Sequence, residues 1–430
     1  MNAHPSPASG TRAIAAAAVG NALEWFDFTV YALFAMYIAP LVFPPQDRVA
    51  GVIAAFLVFG VGFIARPVGA VVLGAYGDRA GRKAALTASL GLMALGTLCI
   101  AVTPPYVAIG IGAPLLLLCG RILQGLSAGG ELGGALSFLV EHAPPGKRGV
   151  YAAWLQGSMA LSNILGALVA TAVTTLLSPE DLAAWGWRIP FIIGLAIVPV
   201  GLWLRARVAD TPEFERARAT AHPEATRGGL WMPLRNLFRH HGRALGVATG
   251  VSVVWVVAVY SLVIYLPTFV QRVLGFPAPQ AFTAALVGNT CMALGCLGAG
   301  WLADRHGRRR IVAAGALLLL VSSWPLLAWL ADERTFTALV LTQSAFCLAV
   351  ALFAGSAPAL VAELFPVEVR SSGVSVGYNL AATVFGGFAP AVLTFLTERA
   401  DTPMAPAWYV MAAAAVSLVV LSFAPRGAAP

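Results

Sequence analysis

Charge is what this sequence has least of. Only 11% of its 430 residues are Asp, Glu, Lys or Arg, against about 25% in soluble domains. With 59% hydrophobic residues and a mean hydropathy of +0.81, a soluble globular chain is excluded and a membrane protein is expected. Histidine is also sparse: the six (His4, His142, His222, His240, His241 and His306) all fall in segments expected on the cytoplasmic side. The side chain that most readily exchanges protons near neutral pH is therefore missing from any path through the membrane. The five cysteines (Cys99, Cys119, Cys291, Cys296 and Cys347) are scattered through apolar runs. They are expected as free, buried thiols, which excludes a disulfide framework and a metal site. No phosphate-cradling glycine loop, metal-ligand cluster or nucleophile constellation occurs, so no enzyme chemistry and no cofactor are expected. A net charge of +8 would suit nucleic acid, but the placement of the basic residues assigns it elsewhere.

What is present is a series of apolar runs long enough to cross a bilayer, for which about 20 residues suffice. Twelve are expected, near 14–40, 49–75, 84–103, 109–140, 149–177, 188–207, 243–271, 279–302, 311–330, 336–362, 372–397 and 405–424. One long polar segment, rich in Arg, His and Pro, separates the sixth from the seventh. The expected organisation is a cytoplasmic N-terminal tail (1–13), a six-helix bundle (14–207), a cytoplasmic linker (208–242), a second six-helix bundle (243–424) and a short cytoplasmic tail (425–430). The first apolar run is too long for a signal core, so no cleaved leader is expected. With the N-terminus inside, 20 of the 27 Lys and Arg lie in loops on one side. Five lie on the other (Arg48, Arg188, Arg272, Arg334 and Arg399) and two, Arg66 and Arg121, fall within runs. That asymmetry follows the positive-inside rule and places both termini in the cytoplasm. It accounts for the basic balance without nucleic acid.

The two halves echo each other. Gly77-Asp78-Arg79-Ala80-Gly81-Arg82-Lys83 follows the second run, and Ala303-Asp304-Arg305-His306-Gly307-Arg308-Arg309 follows the eighth, at an offset of 226. Glu141-His-Ala-Pro144-Pro-Gly-Lys-Arg148 follows the fourth run and Glu363-Leu-Phe-Pro366-Val-Glu-Val-Arg370 the tenth; both read E-x-x-P-x-x-x-R at an offset of 222. Each basic loop alone fits simple positive-inside decoration, but two loop types repeating at nearly one offset point to duplicated halves. Such halves are related as in transporters that bind substrate at the midplane between them.

The repeated Asp-Arg-x-Gly-Arg loops resemble the signature of the major facilitator superfamily. Glu24-Trp25-Phe26-Asp27-Phe28, Arg66-Pro67-Val68-Gly69, Arg121-Ile122-Leu123-Gln124-Gly125, Gly129-Gly130-Glu131 and Gly186-Trp187-Arg188-Ile189-Pro190-Phe191 resemble its metabolite–proton symporter branch. Within that branch, the stretch from Gly69 through Tyr76 to Arg79 and Phe385-Gly386-Gly387 look most like citrate–proton symporters. Relatives carry α-ketoglutarate, shikimate, or proline and betaine. The resemblance implies an all-α membrane protein of 12 transmembrane helices in two pseudo-symmetric six-helix bundles, in a bacterial inner membrane. The implied activity is proton-coupled uptake of a small organic acid, a di- or tricarboxylate such as citrate, by alternating access. A symporter for a zwitterionic osmolyte is the alternative, and a drug–proton antiporter a more distant one. A monomer in the lipid bilayer is expected, with protons as the coupling ion and neither metal nor nucleic acid.

Charges inside the runs are costly, roughly 2.5–3.5 kcal/mol each on insertion scales, and are kept where they face a cavity or one another. They are Glu24, Asp27, Arg66, Arg121 and Glu131. Arg121, Gln124, Ala128 and Glu131 share one helix face, so Arg121 and Gln124 are expected to bind substrate; a guanidinium fork suits a carboxylate. The alternative is an Arg121 paired to an acid on a neighbouring helix. Arg66, near a basic loop, is expected to snorkel or to pack in a gate, with substrate contact as the alternative. Glu24 and Asp27 lie near mid-membrane, where low dielectric and a neighbouring carboxylate both favour the neutral acid. At least one is expected to carry the proton, with Glu131 in reserve; permanent pairing to Arg121 or Arg66 is the competing reading. In the second half, Tyr378 and Asn379 are the expected polar contacts to substrate. Asp78, Arg79, Gly81, Arg82, Glu141, Arg148, Asp304, Arg305, Gly307, Arg308, Glu363 and Arg370 are expected to form a conformational network at the cytoplasmic ends.

Overall fold

In hydrocarbon every backbone N–H and C=O must find its partner within the protein, and an apolar run of this length does so as a helix. The computed structural model describes residues 7–44, 48–80, 82–129, 131–141, 143–206, 237–400 and 402–424. Among them there is no strand. The first half comprises α1 (Pro7–Val42), α2 (Arg48–Ala80), α3 (Arg82–Ala101), α4 (Gly112–Ala128 and Glu131–Glu141), α5 (Arg148–Leu176) and α6 (Ile189–Ala206). The second comprises α7 (Gly242–Ala258, Val259–Ile264 and Leu266–Arg272), α8 (Ala278–His306), α9 (Arg308–Glu333), α10 (Phe336–Ala354 and Ala357–Glu363), α11 (Val367–Ala381, Ala382–Gly386 and Ala389–Ala400) and α12 (Ala405–Ser422). Nine stretches of the described residues are long and apolar enough to cross a membrane, with shorter apolar helices in α3 and α6. Most of the expected 208–242 linker and the 425–430 tail lie outside the described residues. The expected N-terminal tail is partly helical, because α1 already starts at Pro7, a residue whose fixed φ suits a first helical turn.

Two helices widen into π turns, and each does so just ahead of a proline. In α7 the Tyr265 N–H reaches back five residues to Tyr260 O (3.0 Å), two positions before Pro267; in α11 Gly387 reaches Ala382 O (2.6 Å), ahead of Pro390. A proline ring clashes with the carbonyl four residues back and cannot bond to it; a widened turn relieves that clash, and such bulges collect at functional sites.

The halves meet along α5–α8, with further contact of α2 and α4 against α11. Close approach of α5 and α8 depends on glycine. A Cβ on Gly300 would stand 2.7 Å from Gly149 O, and one on Gly149 would stand 2.6 Å from Gly300 O. Leu57, Leu168, Val321, Trp324, Val416 and Val419 point outward, as side chains facing lipid should. Cys296 and Cys347 are buried as expected, but Cys119 is exposed, because it sits on the outward face of α4.

Both ends of the interface are shut. At the basic end, named for its Arg-rich loops, Asp304 of α8 accepts hydrogen bonds from the first backbone N–H groups of α5 in the other half, Gly149 (2.7 Å) and Val150 (3.0 Å). At the opposite end aromatic rings close the gap: Phe34 stacks on Phe282 (6.1 Å) and Phe56 meets Tyr265 edge-on (5.6 Å). Between these two closures, Thr383 of α11 donates to Phe63 O of α2 across the halves (3.0 Å).

Candidate substrate and proton site

Between the two closures lies a cluster that helical spacing assembles. On α1, Trp25, Phe28 and Tyr31 recur at three-residue steps; on α2, Phe59, Phe63 and Arg66 recur at four and three. Both patterns place their members on one helix face. The Arg66 guanidinium sits over the rings of Trp25 (5.0 Å), Phe28 (4.6 Å) and Phe63 (4.3 Å). Arg121 of α4 sits over Phe28 (4.4 Å), Tyr31 (4.6 Å) and Phe59 (4.8 Å). Phe28 thus serves both cations, which are near enough to repel each other. Tyr260, on the π turn of α7, packs edge-on against Phe63 (5.2 Å) and Phe59 (6.1 Å) and completes the cluster from the second half.

Cation–π contacts contribute about 2 kcal/mol or more each when desolvated, which helps two buried guanidiniums persist. They leave hydrogen-bonding capacity unused. Nε and Nη2 of Arg66, and Nε and Nη2 of Arg121, have no hydrogen-bond partner among the described residues. Arg66 is only 2% exposed, so it does not snorkel. Its position about four turns before the end of α2 at Ala80 leaves the aromatic cluster nearer than water.

Arg121 leads to Asp27 through a chain of hydrogen bonds. Arg121 Nη1 donates to Gln124 Oε1 (2.6 Å), Gln124 Nε2 donates to Thr97 Oγ1 (3.0 Å), and Thr97 donates to Asp27 Oδ2. Asp27 Oδ1 has no partner among the described residues and lies against Gly194 of α6, where a Cβ would stand 2.5 Å away. Gln124, 0% exposed, is a link in that chain. Glu24 is buried within electrostatic reach of Tyr378 in the other half, so the two acids of α1 face different surroundings. Tyr378 packs edge-on against Trp255 (4.9 Å), and Trp255 Nε1 donates across the halves to Gln156 Oε1 (3.1 Å). Asn379 is buried beside it in sequence.

At the basic end Arg370 bonds Glu141 of the other half (3.3 Å), Arg308 pairs with Glu363, and Arg308 also reaches Asp304 (3.3 Å). The repeated E-x-x-P-x-x-x-R motif is therefore joined crosswise: Glu141 of the first copy pairs with Arg370 of the second. Gly307 holds φ +91, a conformation that favours glycine, and so ends α8 sharply. Arg305 lies over Trp301 (4.7 Å) and Arg148 is exposed. Gly81, and the side chains of Asp78, Arg79, Arg82 and Glu131, lie outside the described residues.

The Major Facilitator Superfamily model matches residues 28–300. The chain belongs to that superfamily. The Sugar (and other) transporter model matches residues 224–428. The chain is 37% identical to a citrate-proton symporter of Klebsiella pneumoniae, over 95% of this chain and 90% of that protein. It is 36% identical to a citrate-proton symporter of Salmonella typhi, over 93% and 90%. It is 32% identical to a proline/betaine transporter of Escherichia coli, over 95% and 82%. The D-xylose-proton symporter shares the fold at a TM-score of 0.75 and 17% identity, over 96% of both chains. This facilitator is thus a multi-pass membrane protein with the twelve-helix architecture expected from its sequence.

Trp25, Glu24 and Asp27 stand out in the sequence as one motif, and Arg66 and Arg121 as charges in apolar runs. Thr97, Gly194 and Tyr31 do not. A single threonine or glycine in an apolar helix carries no signal until a carboxylate is seen against it.

Proposed function

We propose that the protein takes up a small di- or tricarboxylate, citrate or a close relative, together with protons, by alternating access of two six-helix bundles. The observation that carries this reading is the pair of buried guanidiniums on Phe28 with Nε and Nη2 of each unused. A ligand with two carboxylates would satisfy both, and Arg is suited to holding a carboxylate by two parallel hydrogen bonds. The citrate-proton symporters among its relatives support the same substrate class. The proline/betaine relatives raise the osmolyte alternative. Aromatic faces do attract quaternary ammonium groups, but here those faces already hold Arg66 and Arg121.

In this scheme Arg121 and Arg66 anchor the carboxylates, with Tyr378 and Asn379 contributing from the second half. Asp27 is the first proton carrier, with Glu24 and Glu131 as further acids. Asp304, Arg308, Glu363, Glu141 and Arg370 hold the basic end shut, and the first-half loop around Asp78 and Arg82 acts in the same way. The basic loops and both termini lie in the cytoplasm of a bacterial cell, and the protein works as a monomer in the inner membrane. Protons are the coupling ion, and no cofactor takes part. Proteoliposomes with an inward proton gradient test this: labelled citrate should accumulate above its outside concentration. Failure to concentrate any di- or tricarboxylate would overturn the reading, and proton efflux on adding substrate would indicate antiport.

A further inference from the structure

Asp27 and Arg121 are joined by no direct hydrogen bond: Asp27 Oδ1 has no partner among the described residues and Oδ2 is taken by Thr97. Between them every hydrogen bond runs one way. Arg121 donates to the Gln124 carbonyl, the Gln124 amide donates to the Thr97 oxygen, and the Thr97 hydroxyl donates to the Asp27 carboxylate. Arginine can only donate, so the orientation of the Gln124 amide is dictated from one end. The acid dictates the other end only while it is ionised. Thr97 has a single hydroxyl proton and a second acceptor already in place, Met93 O at 3.0 Å.

We propose that Thr97 is a positioning residue that makes the binding of an anion at Arg121 depend on whether Asp27 carries a proton. The proposal rests on the reading that Asp27 takes the coupling proton and Arg121 holds a substrate carboxylate. With Asp27 ionised, the chain is polarised along its whole length, and hydrogen bonds aligned this way strengthen one another. Gln124 is then held firmly on Arg121, and part of the guanidinium charge is committed to the acid. A proton from water binding at Asp27 removes the acceptor charge. Thr97 then turns its hydroxyl to Met93 O, the chain loses its polarisation, and Arg121 is left for an incoming carboxylate. Proton binding thus favours anion binding, and by linkage anion binding favours the proton equally.

The groups packed around Asp27 leave this route uncontested. On α3 and α6 it meets Thr97 and Gly194. Neither of these titrates. The charge facing it from α4 is Arg121 itself; Arg66 of α2 acts on Arg121, and Glu24 shares α1 with Asp27.

The test is the pH profile of citrate affinity, measured calorimetrically on the purified full-length protein for wild type, Thr97→Val, Thr97→Ser and Asp27→Asn. Titration of citrate itself is common to all and cancels in the ratio to wild type at each pH. Asp27→Asn should flatten the protein's part of the profile. Thr97→Val should reduce it by about fivefold or more, a typical coupling factor, while keeping affinity at acidic pH within about twofold of wild type. Thr97→Ser, which restores the hydroxyl, should restore the profile. A Thr97→Val protein with the wild-type profile overturns the relay while leaving the Asp27 assignment standing, provided Asp27→Asn is flat. An Asp27→Asn protein with the wild-type profile overturns both. If Thr97→Val does not fold, Thr97→Ala removes the same hydroxyl with less crowding and carries the same two outcomes.

Discussion

Replacing Arg66 with lysine separates the contributions of the two cations. Arg66 is 2% exposed, lies over three aromatic rings, and has Nε and Nη2 unpaired among the described residues. Lysine keeps the charge, and so the attraction to the rings, but cannot present a planar fork. One charge-assisted hydrogen bond to a bound carboxylate, roughly 1.5–3 kcal/mol, is then lost, which corresponds to a roughly 10- to 150-fold weaker Kd. The size of the loss should depend on the ligand. A tricarboxylate or dicarboxylate that engages both guanidiniums should suffer all of it. A monocarboxylate can settle on Arg121 and should weaken by no more than about threefold. Competition binding against labelled citrate, with matched mono-, di- and tricarboxylates, reads this directly, and a thermal melt of each variant checks the fold. An equal loss for all three ligand classes would mean that Arg66 shapes the site without touching substrate. No loss for citrate would refute the two-anchor geometry.

Other contacts carry their own expectations. Asp304→Asn weakens the charged cap on α5, a contact worth about 1 kcal/mol. A cysteine at Ser375, which faces Gly133 across the halves, should then be alkylated about fivefold faster; an unchanged rate would deny the cap a role in closure. Gln156→Leu removes the 3.1 Å bond from Trp255 at a cost of about 1 kcal/mol, and should speed citrate counterflow about fivefold with Kd unchanged. Gly300→Leu forces side-chain atoms against Gly149 O, 2.7 Å from where its Cβ would sit. It should lower stability by about 1–3 kcal/mol, seen as a lower melting temperature and lost transport, and a variant as stable as wild type would show that the α5–α8 contact is looser than described.

The architecture is legible in the sequence because the bilayer acts as a solvent with few options. Runs of about 20 apolar residues must become helices, and the bias of Lys and Arg to one set of loops follows from the same medium. Duplicated loops separated by 226 and 222 residues then imply two like halves. Glu24, Asp27, Arg66 and Arg121 are legible as charges in the wrong solvent. What those charges meet was not. Periodicity shows which residues share a helix face, but it cannot say which helix stands opposite. Hence Arg66, which by position could have snorkelled, lies among Trp25, Phe28 and Phe63. Glu24 and Asp27, three residues apart, face different neighbours, and Glu141 pairs with the arginine of the other repeat. Thr97 and Gly194 have no signal of their own, since a hydroxyl or a missing side chain matters only against the carboxylate it meets. One dimension determined the helices and their charges; the packing of six helices in each half, and of the halves on each other, decided which charge answers to which.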